Sequence, residues 1–70
     1  MAKNTTSLKW WYEVGFVIDE DTIDAMEACG QNINVARQRV KELEDEFGEP
    51  CGIIKVKVLP YNRRDIKRIE

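Results

Sequence analysis

The chain has no histidine. That removes the side chain most often used as a general base near neutral pH. There are two cysteines, Cys29 and Cys51. Two thiolates without a histidine cannot close a zinc site within one chain. Cys29 falls on an apolar stripe, where cysteine serves as a small core residue. Cys51 follows Pro50 in a turn, and no histidine exists to activate it. Asp19–Asp24 is acid-rich but lacks the glycine and the distal glutamate of a calcium loop. No apolar run approaches the roughly 20 residues that cross a bilayer. Met1–Ser7 is short and polar, without the apolar centre of a signal peptide. These absences lead us to expect a cytoplasmic chain with reduced thiols. They also lead us to expect no enzyme activity, cofactor, metal, small-molecule substrate or membrane association.

What is present describes an ordinary globular domain. The 70 residues include 43% apolar and 34% charged side chains, which sets the chain apart from disordered sequences. A domain of this length buries only about 60% of its unfolded surface. Leaning on a second copy or on a larger protein partner is a common remedy.

The net charge of −2 hides a segregation. Residues 1–10 carry +2, residues 11–50 carry −8, and residues 51–70 carry +4. An acidic middle and a basic end need an explanation.

Leu8 to Asp19 alternates as a strand does. Leu8, Trp10, Tyr12, Val14, Phe16 and Ile18 share a wholly apolar or aromatic face. Trp11 and Val17 lie on the other, mixed face. Gly15 marks a bulge or a close backbone approach. Next, apolar residues recur at Met26, Cys29, Ile33, Ala36, Val40, Leu43 and Phe47, a helical stripe. The stripe runs through Gly30–Asn34, which is poor helix sequence. One long helix from about residue 22 preserves the phase of the stripe. The alternative is a break near Gly30 and a second helix capped by Asn32 or Asn34. Gly48 and Pro50 end the helix. A second strand runs from Cys51 or Gly52 to Leu59. Asn62 caps a last basic helical turn.

The expected fold is therefore α+β: strand, long helix, strand, and a short C-terminal basic helical turn. The helix returns the chain, so the two strands are expected to be parallel, in a small sheet packed on one helix. Two strands alone are too few to be stable. Dimerisation or a partner is expected to complete the sheet. The organisation predicted is a flexible 1–7, one domain over 8–60, and a basic tail over 61–70.

Three surfaces carry functional expectations. Trp11 shares its predicted face with Val17, Ile53 and Leu59, framed by Glu13, Lys55 and Lys57. An aromatic anchor among aliphatics with a charged rim suits a protein interface. Glu44, Asp45 and Glu46 lie at the helix end where acids oppose the macrodipole. Local rules broken without compensation point to a partner or a nearby opposite charge. An acidic edge of this kind can also imitate a phosphate backbone, as in viral inhibitors that occupy nucleic-acid sites on enzymes. Arg63, Arg64, Lys67 and Arg68 could contact nucleic-acid phosphates, or neutralise the acidic part of the same fold. The leading expectation is a non-enzymatic interaction or regulatory module working through the Trp11 face, as a homodimer or on a larger protein. Nucleic-acid binding through the tail is the alternative.

Overall fold

Trp10–Val17 forms strand β1, as the alternation predicts. The computed structural model describes residues 9–70, so the expectation for residues 1–7 lies outside the described residues. The chain then departs from a long helix. Ile23–Ala28 forms a second strand, β2, antiparallel to β1. Two backbone bonds, Cys29 N to Tyr12 O and Tyr12 N to Gly30 O, both 2.8 Å, carry that pairing past β2. Gly15 sits where the register shifts: Val14 pairs with Glu27 and Gly15 with Ala25, leaving Met26 as the extra residue of a bulge. A Cβ at Gly15 would overlap the backbone carbonyl of Asp24, so β2 can approach only because no side chain is there.

The helix α1 spans Ile33–Phe47. Asn32 caps it, its side chain accepting from the Asn34 N–H at 2.9 Å. Gly48 ends it in the left-handed conformation, φ 68°, donating its N–H to Glu44 O. Cys51–Val58 forms β3, which pairs antiparallel with β1 from Phe16↔Cys51 to Trp10↔Lys57. This corrects the expected parallel pair. The extra reversal at β2 leaves β1 between two strands of like direction, and the helical crossover joins β2 to β3 instead.

The expected C-terminal helical turn is also absent. Pro60–Asn62 makes a short 3-10 turn with positive φ at Tyr61 and Asn62. Arg64–Arg68 then forms β4, antiparallel to β3. The basic tail is thus an edge strand. The sheet order is β2-β1-β3-β4, so the strands that accompany β1 and β3 come from the chain itself. Among the described residues the result is an α+β fold with four antiparallel strands and one helix.

The helix covers one face of the sheet. Val14, Ala36, Leu43, Cys51 and Ile53 are buried there, joined by Tyr12, Phe16, Ile33 and Val40. Phe16 and Phe47 meet edge to face at 5.4 Å, closing the far end of the helix on β1. A second, smaller cluster lies on the helix-free face: Ile23, Ile54 and Val56, with Trp11 and Val17 packed on them.

Candidate functional site

The two tryptophans do fall on opposite faces, as neighbouring strand residues must. Their companions differ from the expectation. Ile53 is 1% exposed in the helix-side core, so it does not share a face with Trp11. Lys55 and Lys57 pair with Tyr12 and Trp10, and lie on the helix side with them. Trp11 has Val56 as its cross-strand neighbour, and Val56 pairs onward with Ile66 of β4. Val17 remains on the Trp11 side. Leu59 lies past the end of β3, where its N–H bonds to Arg63 O at 2.8 Å.

The helix-free face therefore carries a row, Trp11–Val56–Ile66, across three strands. Val56 is buried, whereas Ile66 is 56% exposed. Trp11 is fixed at both ends. Its indole N–H donates to Glu13 Oε2 at 2.7 Å, and the Arg64 guanidinium lies 5.6 Å from its ring centre. The next row holds Glu13, Ile54 and Arg68.

The four basic residues of the tail do not gather. Strand alternation puts Arg64 and Arg68 on the helix-free face and Lys67 on the other. Arg68 donates to the backbone carbonyls of Asp19 and Glu20, at 3.1 and 2.9 Å, tying the β1–β2 turn to β4. Arg63 donates to Pro60 O at 3.3 Å.

The acids of the helix end divide as well. Glu44 accepts from the Cys51 backbone N–H at 3.0 Å and so anchors the start of β3. Asp45 and Glu46 are exposed, and among the described residues neither makes an ion pair. The basic tail does not neutralise them. The ion pairs lie elsewhere: Arg37 with Glu70, and Arg39 with both Glu27 and Glu42. The Arg39 pairs line a cleft of about 450 Å³ between β2 and α1, which also holds Cys29 and Val35. Burial pushes the Cys29 thiol up, and nearby Glu27 adds to the effect. Burial does the same at Cys51, next to Glu44 and Glu49. Both thiols are disfavoured as thiolates, the reactive form.

One grouping was missed in the sequence. On the helix side, beyond the first turn of α1, cross-strand pairing builds two rows. The first is Trp10, Lys57 and Asp65. The second is Tyr12, Lys55 and Lys67. The signal was present in the shared spacing of Trp10 with Tyr12 and of Lys55 with Lys57, but it needed the register of β3 against β1 to be read. No protein-family model, curated protein or solved structure matches this chain.

Proposed function

We propose that the protein is a non-enzymatic interaction module whose helix-free sheet face pairs with a second copy of the chain. The observation that carries this is the Trp11–Val56–Ile66 row, with Ile66 left 56% exposed on a face that no helix among the described residues covers. The face is also self-complementary. A two-fold axis along β3 would set Trp11 of one copy on Ile66 of the other. The adjacent row would bring Glu13, which holds the Trp11 indole, toward Arg68, whose guanidinium also holds the Asp19 and Glu20 carbonyls. Apolar contact would supply the affinity, and the charge match would fix the register. Trp11 itself is partly committed to the small cluster beneath it, so the contact centres on Ile66 with the Trp11 edge beside it.

Sedimentation velocity and light scattering across the micromolar range test this reading. The expected result is a concentration-dependent dimer that Ile66→Lys converts to monomer with an unchanged circular dichroism spectrum. A strict monomer at all concentrations overturns it.

A further inference from the structure

We propose that the helix-side surface around Trp10 is a binding platform for single-stranded nucleic acid. It lies on the opposite face from the proposed dimer contact and does not depend on it. Lys55 and Lys67 stand directly opposite each other across β3 and β4. Like charges in that position destabilise a sheet. Lys57 lies two residues along the same face as Lys55. Among the described residues none of the three lysines makes an ion pair. Asp65, opposite Lys57, is the nearest acid that the register provides. Three cations therefore share a groove of about 170 Å³ with one carboxylate. A polyanion supplies the missing charge.

The aromatic side chains indicate which polyanion. The Lys55 ammonium rests over the Trp10 ring, 4.5 Å from its centre, and among the described residues it makes no ion pair. A phosphate would draw Lys55 off the ring and free that face of the indole for a base. Tyr12 supports Trp10 edge to face at 5.3 Å, and the Gln31 amide holds the Trp10 carbonyl at 2.9 Å. The Tyr12 contact steadies the ring, and the Gln31 bond steadies the backbone that carries it. Tyr61 stands at the hairpin tip past Lys57, 93% exposed and with φ 63°. The positive φ of Tyr61, shared with Asn62, is what the two-residue turn between β3 and β4 requires, and it presents the Tyr61 ring to solvent. Lysines tracking phosphates beside fixed aromatic rings make up the general design of single-strand platforms.

The overall acidity does not oppose this. The acidic end of α1 packs near Phe16, six residues along β1 from Trp10. That separation is about 20 Å, more than twice the screening length of about 8 Å at physiological salt.

The test titrates labelled oligodeoxythymidine with the whole protein at low and physiological salt. It also follows Trp10 fluorescence in a Trp11→Phe background. Expected results are saturable binding, quenching of Trp10, and affinity that falls linearly with salt on logarithmic axes. Lys55→Ala with Lys67→Ala should weaken binding at least tenfold and reduce the salt slope by about 1.4, near 0.7 per phosphate contact. The thermal midpoint of that variant should stay level or rise, because a like-charge pair is removed. Arg63→Ala with Arg64→Ala should leave affinity within about twofold. The proposal is overturned by absence of binding at low salt, by unchanged binding in the lysine variant, or by loss confined to the arginine variant. Polyglutamate binding as tightly as the oligonucleotide, without quenching Trp10, overturns it in favour of an acidic protein.

Discussion

A methyl group on Gly15 would strike the Asp24 carbonyl; β1 cannot retreat, because β3 flanks it on the other side, and β2 could move away only by giving up its pairing. Gly15→Ala is expected to cost about 2–3 kcal/mol, in the upper range for overpacking, and to lower the thermal midpoint by roughly 8–24 °C, at about 4–8 °C per kcal/mol. Gly48→Ala meets no atom within contact distance, and its cost is only that of the left-handed backbone, about 1 kcal/mol. Calorimetry on the pair separates steric from conformational demand; equal shifts would contradict this account. Both cysteines should alkylate more slowly at neutral pH in the folded protein than in denaturant, because burial raises each thiol. Mass-spectrometric labelling at two pH values checks this, and rapid native labelling would refute it. The sequence showed that Trp10 and Trp11 part company, because a period of two demands it. It did not show that Ile53 and Ile54 fall the other way round from the expectation. Cys51–Ile54 is buried on both faces, and a strand apolar on both sides has no alternation to read.

The strand β2 is the element that sequence reasoning lost. Ile23–Ala28 is rich in alanine, methionine and glutamate, which favour helices. Met26 and Cys29 continue the spacing of the true helix by coincidence, one as a bulge residue and the other just past the strand. Pairing with β1 overrides the propensity, which is weak beside a ladder of backbone bonds and a buried Ile23. From Asn32 onward the stripe and both caps were legible, because caps are local chemistry. Asn32→Ala should cost about 1 kcal/mol through the lost bond to the Asn34 N–H. The helix also has no acid in its first turn and no base in its last. Glu46→Lys should therefore stabilise it by about 0.3–1 kcal/mol at low salt, and less at high salt. Urea titrations at two ionic strengths measure both changes. A destabilised Glu46→Lys would mean that this acid has a structural role.

At the scale of the whole molecule, Glu70 couples the end of the chain to the helix. Its carboxylate accepts from Arg37 Nε at 3.0 Å and Nη2 at 2.5 Å, and those bonds hold it below the ordinary glutamate value of 4.5. The Gln38 amide and then Arg39 lower Glu42 in the same way, and the Asp21 backbone N–H lowers Asp19. A carboxylate depressed in the folded state contributes its full stability above its unfolded value. It loses that contribution as pH falls through the folded value. The thermal midpoint should therefore drop on acidification below about pH 4.5, and Glu70→Gln should flatten that drop. Identical pH profiles for the two proteins would show that the Arg37 bond does not reach stability. The charge blocks of the sequence are divided in the fold, and the ion pairs are not those that the blocks suggested. Among the described residues Asp45 and Glu46 make no ion pair with the basic strand, and Lys55 of β3 faces Lys67 of β4.

That arrangement gives the molecule a direction. The N-terminal end of α1, with its half-charge of positive sign, lies toward Tyr12 and the three lysines, and its negative end lies among Asp45, Glu46 and Glu49. Side chains that oppose the helix locally add to its dipole globally. Near any charged surface the protein experiences a torque before it makes contact, and it arrives lysine end first at a polyanion. Glu46→Lys would then help the helix and weaken that orientation in the same step, so a gain in stability would be accompanied by slower capture at low salt.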